Sequence, residues 1–253
     1  MAILVLVRHG RTAANAEGIL AGWTPGVVLD DKGIEQAARV ARRLSASALA
    51  AVVSSPLERC QQTAAAIVEG QSTRSRTNAA QDPLLHTDEQ LGECHYGSWT
   101  GRPLKELSRE ALWQDIQQHP STVTFPPHDD FRAESMLGMQ ERAVRAITRW
   151  DARIEAAHGP GAVWAAISHG DVIKALVAHA LASPLDHFQR ITIDPASVSI
   201  VRQAVERPFV LRVNDTGSDP VDLESLSRSL TEAAERHDGS GDDAALGGGA
   251  GSD

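Results

Sequence analysis

Two apolar runs in this chain end in the same way. Ile3 to Val7 delivers Arg8-His9-Gly10 into a loop, and Val163 to Ile167 delivers Ser168-His169-Gly170. Unbroken apolar runs of this length, closed by a glycine, read as strands buried on both faces. Strands of that kind belong to parallel sheets covered by helices. In open α/β folds the carboxyl ends of the strands are where ligands bind. The pattern therefore predicts an α/β chain whose sheet offers two histidines to one pocket.

The intervening residues fit this reading. A glycine-rich loop runs from Gly10 through Gly18, Gly22 and Gly26 to about Asp31, which starts a helix. Ile34, Ala37, Ala38, Ala41 and Leu44 then recur at helical spacing over Lys32 to Ser45. Ala50 to Val53 is a second short strand, and Ser54-Ser55-Pro56 opens a helix from Leu57 to about Glu69. Strand, turn and helix repeat over Ala162 to Ala182, the order of right-handed βαβ units around a largely parallel sheet. Residues 83–135 interrupt the alternation with Pro, Gly and aromatic residues and one helix near Leu104 to Gln118. They are expected to form an insertion over the sheet's carboxyl edge, as a lid or substrate wall. A helix over Met136 to Ala157 and a strand pair, Ser197 to Arg202 with Phe209 to Val213, complete the expected domain of residues 1–213. Residues 214–253 read as an acidic, glycine-rich and largely disordered tail. Leu223, Leu226 and Leu230 suggest one docked helix within it, over Val221 to Arg236.

The net charge of −9 is concentrated in that tail, where ten acidic residues face two arginines. Residues 1–213 are almost neutral. This argues against nucleic acid or an acidic membrane as partner, since both require a basic surface. Cys60 and Cys94 are too few for a disulfide framework and are not spaced as a metal clip, which fits a reduced, cytoplasmic setting and two inert buried thiols. The amino terminus is too short and uncharged for a signal peptide, and no apolar stretch approaches the ~20 residues of a spanning helix. The histidines do not follow a His-Glu-x-x-His spacing, so no metal or other cofactor is expected.

Paired histidines with neighbouring arginines suit phosphoryl transfer. A phosphomonoester is a dianion whose transfer depends on positioning and on neutralising its oxygens. Arginine provides a planar fork that stays charged in any surroundings. Arg8 adjoins the candidate nucleophile His9. Arg59 lies in the first turns of a helix, whose dipole adds positive potential. His9 must attack as neutral imidazole, and nearby guanidinium groups depress its pKa and keep it neutral. His169 is the complementary stabiliser of the phosphoryl oxygens. Glu93, in Leu91-Gly92-Glu93-Cys94-His95-Tyr96-Gly97-Ser98-Trp99, sits in an apolar and aromatic segment. Burial there beside a dianion should raise its pKa, as a proton donor to the leaving alcohol requires.

Arg8-His9-Gly10, Asn15, Ser-Ser-Pro-Leu-x-Arg, Glu-x-x-Tyr-Gly-x-Trp-x-Gly and Ser-His-Gly occur in order over residues 3 to about 205. In this the chain resembles the histidine phosphatase superfamily, in the branch of cofactor-dependent phosphoglycerate mutases and related small-molecule phosphatases. The resemblance implies a three-layer α/β/α sandwich, phosphorylation of His9, and phosphoryl binding by Arg8, Arg59 and His169 with help from Asn15. It further implies Glu93 as proton donor and no metal requirement. Relatives often form homodimers, so a homodimer is an expectation of the resemblance. Read without it, Asn15 is as readily a loop-capping side chain.

The departures from the mutases are informative. Arg11 replaces the usual Glu or Gln after Arg-His-Gly, and it either adds positive charge at the pocket or points outward. The adjacent arginines with which mutases hold the substrate carboxylate are missing from Ala111-Leu112-Trp113-Gln114-Asp115. Hydrolysis of a small phosphorylated metabolite is therefore expected to outrun mutase activity. A phosphomutase using the same residues is the alternative, followed by a non-catalytic phospho-ligand-binding module. Trp23, Tyr96 and Trp99 are candidates for the pocket wall, against the commoner use of aromatic side chains in packing.

Overall fold

The structure is a computed structural model that describes residues 2–72, 84–204 and 206–217, together with Arg228. Strands β1 (Ile3–Arg8), β2 (Ala51–Ser54), β3 (Leu85–Thr87), β4 (Val163–Ser168), β5 (Val198–Arg202) and β6 (Phe209–Asp215) form one sheet in the order β3-β2-β4-β1-β5-β6. β3, β2, β4 and β1 pair in parallel; β5 runs against β1, and β6 against β5. Only β5 therefore opposes the common direction.

Alternation along the strands separates two cores. Ile3, Val5 and Val7 face one side with Val163, Ala165 and Ile167. They pack on Val40, Ala41 and Leu44 of α2 (Asp31–Leu44) and on Cys60, Ala64 and Ile67 of α3 (Glu58–Ser72). Leu4, Leu6, Trp164 and Ala166 face the other side. Their partners there are the apolar faces of α6 (Met136–His158) and α7 (Gly170–Ala180), and the residue 91–125 segment. Helices on both faces of a mostly parallel sheet make the three-layer α/β/α sandwich.

Several local expectations need correction. The loop after His9 contains a short helix, α1 (Ala13–Glu17), started by a capping box between Thr12 and Asn15 and closed by Gly18 at φ 67°. Asp30, not Asp31, caps α2, its carboxylate accepting from Gly33 N at 2.7 Å. β3 was not foreseen, because three residues are too few to show a period. The single helix expected over Leu104 to Gln118 is two, α4 (Leu104–Leu107) and α5 (Ala111–Gln118). At the break Ser108 Oγ bonds the Lys105 carbonyl, and Glu110 turns extended with its carboxylate held by Trp99 Nε1 and Arg102. Trp99 is 1% exposed and serves packing. The last strand, expected to end at Val213, runs on to Asp215, where Asn214 Nδ2 donates to Asp194 and Asp215 pairs with Arg43. The helix expected over Val221 to Arg236 lies outside the described residues, apart from Arg228.

Candidate active site

The strand register brings the two histidines together. Arg8 pairs with Ser168 across β1 and β4, so His9 and His169 leave adjacent strands at the same level, and His9 N donates to Ser168 O at 3.0 Å. β2 ends beside them, with Ser55 N donating to Ile167 O. The imidazoles meet edge to face with centroids 5.2 Å apart, and both are buried. After His9 the chain passes close under α2. A Cβ on Gly10 would lie 2.5 Å from Gly33 O, so only glycine fits there.

Partners of fixed polarity set the tautomers. His9 Nδ1 lies 2.7 Å from Gly10 O, which can only accept, so the proton is on Nδ1 and Nε2 carries the lone pair. Arg59 Nε donates to that Nε2 at 3.3 Å. Arg59 Nη2 donates to His169 Nδ1 (3.2 Å) and to Gly22 O (2.8 Å). His169 therefore carries its proton on Nε2 and gives it to Ser55 Oγ at 2.8 Å. Thr63 Oγ1, which accepts from Gly10 N and donates to Arg59 O, ties the His9 loop to α3.

Two donors at this pocket have no protein acceptor: Arg8 Nε and Arg59 Nη1, both buried. Arg8 also donates through Nη1 to Ile193 O, and its guanidinium lies against Gly170 at the amino end of α7. An unmatched buried donor costs about 1–3 kcal/mol, more when charged, a cost that an anion's oxygens would remove. Burial, followed by Arg59 and Arg8, holds the His9 imidazole well below its ordinary pKa. Sequence reasoning named the arginines for this effect, but desolvation leads. His169 is lowered well below its usual range too, by burial and then by Arg59, His9 and Arg8.

Glu93 approaches from the insertion, its Oε2 3.7 Å from His169 Nδ1 and its Oε1 accepting from Cys94 N at 2.9 Å. Burial first, and then the negative charge of Asp171, raise its pKa to about 7, against the pull of Arg59 and Arg8.

The remaining sequence candidates are placed differently. Asn15 is half-buried, and its Oδ1 accepts from Thr12 N and Oγ1 in the cap of α1. Arg11 is held by Asp30 at 2.8 Å, which anchors the loop to α2. Trp23 stacks on His95 with centroids 4.5 Å apart and donates through Nε1 to Glu93 O. Tyr96 is buried, with its hydroxyl on Asp171 Oδ2 at 2.8 Å. Cys60 lies 3.4 Å from His169 Nε2, and burial pushes its thiol up to about 12.

Sequence reasoning missed Ser55, Thr63, Asp171, Glu134 and Arg142. Ser55 left a signal in the Ser-Ser-Pro-Leu-x-Arg motif, and Arg142 left one as a charged residue within the apolar stripe Met139, Ala143, Ala146 of α6. Among the described residues no group of His, Cys, Asp and Glu has the make-up of a metal site, and no helix is long and apolar enough to cross a membrane.

Comparison with known proteins places this architecture. The model of the histidine phosphatase superfamily (branch 1) matches residues 4–216. The chain belongs to that superfamily. It is 30% identical over 190 residues to the adenosylcobalamin/alpha-ribazole phosphatase of Salmonella typhimurium, covering 74% of this chain and 84% of the relative. It is 26% identical over 265 residues to the 2,3-bisphosphoglycerate-dependent phosphoglycerate mutase of Thermobifida fusca, covering 91% and 97%. Among solved structures, Bacillus stearothermophilus YhfR superposes with a TM-score of 0.69 at 28% identity, over 88% of this chain and all of that one. A superfamily that holds both phosphatases and mutases leaves the fate of the phosphoryl group to the details of the pocket.

Proposed function

We propose that this superfamily member hydrolyses a small phosphorylated metabolite through a phosphohistidine formed at His9. The observation that carries the reading is the locked tautomer of His9, which leaves Nε2 unprotonated beside Arg59, in a site with two unmatched guanidinium donors. His9 Nε2 attacks phosphorus and the ester P–O bond breaks, while Arg8 and Arg59 neutralise the non-bridging oxygens. Protonated Glu93 gives its proton to the departing alkoxide. As carboxylate it then takes a proton from the water that cleaves the P–N bond, which restores His9 and releases phosphate. The added negative charge of the substrate offsets the arginines and lets His169 hold a proton at Nδ1 as a donor to the phosphoryl group. Each step needs only groups this chain supplies.

The test uses an aryl phosphate. The wild-type enzyme should release phosphate and, when quenched in alkali, carry a base-stable, acid-labile phosphoryl group. His9→Ala should show neither. Arg59→Met should lose about 3 kcal/mol of transition-state stabilisation, on the order of 100-fold in kcat/KM. Turnover by His9→Ala at the wild-type rate would overturn the assignment. The similarity to a mutase over most of the chain makes phosphoryl return the competing outcome. Arg102, next to the insertion's Trp-x-Gly, is committed to Glu110 at 2.7 Å, and no arginine pair follows it. If 3-phosphoglycerate with a bisphosphoglycerate primer yields 2-phosphoglycerate faster than inorganic phosphate, the mutase reading replaces hydrolysis.

A further inference from the structure

Each carbonyl from Gln90 to Glu93 is taken by a donor from elsewhere in the chain. Arg142 Nη1 donates to Gln90 O at 2.7 Å and to Gly92 O at 3.0 Å, and its Nη2 donates to Glu93 O at 2.9 Å. Ser168 Oγ donates to Leu91 O, and Trp23 Nε1 to Glu93 O, each at 2.7 Å. Arg142 is 8% exposed on α6, and its charge is met by Glu134 in a two-pronged pair at 3.0 and 2.7 Å. Glu134 Oε1 also accepts from His95 N at 2.9 Å, so the same ion pair grips the backbone on both sides of Glu93. Burying a guanidinium costs several kcal/mol unless it is paired and hydrogen-bonded. Here every carbonyl it bonds lies in the segment that carries the acid.

We propose that Arg142 is a positioning residue for the general acid: with Glu134 it fixes the backbone of residues 90–95 so that the Glu93 carboxyl reaches the leaving oxygen beside His169. This rests on the role of Glu93 proposed above. Proton transfer requires heavy atoms about 2.6–3.2 Å apart, so a small displacement of this loop removes acid catalysis. The nucleophile and the phosphoryl clamp are anchored on β1, β4 and α3, and none of their backbone groups is held by Arg142. Loss of Arg142 should therefore be felt only by substrates whose leaving group needs a proton.

Phenyl phosphate and 2,4-dinitrophenyl phosphate separate the two cases, because dinitrophenolate departs readily as the anion. The parameter to compare is kcat/KM, which covers steps through release of the phenol and excludes phosphoenzyme hydrolysis. Arg142→Lys and Glu134→Gln should each lose about 10-fold or more on phenyl phosphate and stay within about twofold of wild type on the dinitrophenyl ester. Glu93→Gln should show the same selectivity in stronger form. Glu134→Gln keeps the guanidinium and the shape of its partner, so it carries the test if the lysine variant does not fold. Equal loss on both esters in folded Arg142 and Glu134 variants, or no loss on either, overturns the positioning role. If Glu93→Gln itself fails to discriminate between the esters, the acid assignment falls and the proposal falls with it.

Discussion

His9 and Glu93 are shifted in opposite directions by one cause. Burial disfavours charge, so it lowers the imidazole and raises the carboxyl, which leaves His9 neutral and lets Glu93 keep its proton up to about pH 7. For formation of the phosphoenzyme, kcat/KM should fall as pH rises through about 7, where Glu93 loses its proton. On the acid side it should persist to well below the ordinary histidine range. Asp171, hydrogen-bonded by Tyr96, is the second cause of the Glu93 shift, so Asp171→Asn should move the alkaline limb to lower pH. A pH profile with that limb unmoved would show that Asp171 does not act on Glu93. Arg8, His9, Arg59 and His169, proposed to hold and attack the phosphoryl group, were legible because each stands at a strand end or a helix start in a short motif. Asp171 was passed over although it lies two residues beyond His169, because nothing local shows that α7's first turn faces the insertion.

At the scale of elements, the His9 loop and the first turn of α2 pass so closely that both sides need glycine. A Cβ on Gly33 would lie 1.9 Å from Arg11 O, a backbone atom with nowhere to go. Gly33→Ala should cost about 1–3 kcal/mol as overpacking, and it should lower kcat/KM because the segment pushed aside directly follows His9, the proposed nucleophile. Thermal unfolding and aryl phosphate kinetics on the same preparation check both effects, and a fully active, equally stable variant contradicts the contact. Gly10 was readable as a motif glycine. Its partner, 23 positions later inside a helical pattern, was not, because the requirement exists only once β1 and α2 are packed. The same limit applies to Arg142, which was missed: its apolar neighbours on α6 mark a buried face but not which carbonyls it holds. Long periodic elements such as α2 and α6 were readable to within a few residues, whereas β3 and the break at residues 108–110 depend on tertiary contacts.

Over the whole molecule, the pocket's protonation enters the stability of the fold. His9 and His169 stay neutral when folded, so stability is lost as pH falls below about 6.5, by up to about 1.4 kcal/mol per pH unit for each. Glu93 acts in the opposite sense. Its raised pKa favours the folded state as pH falls from about 7 toward the ordinary carboxyl value. Glu93→Gln removes the buried charge, so it should be more stable than wild type at pH 8, by as much as about 3 kcal/mol, with the gap shrinking toward pH 5. Urea midpoints at the two pH values test this, and a gap that widens on acidification contradicts it. Stability given up at the pocket in this way is typical of a functional site.

The two imidazoles hang at one level from the facing rails of a single peptide ladder, and that has a consequence for how the site tolerates change. Their separation is inherited from the spacing of adjacent hydrogen-bonded strands, about 4.8 Å, and not from any loop. Changes in the loops around the rim therefore leave the two imidazoles beneath it in register.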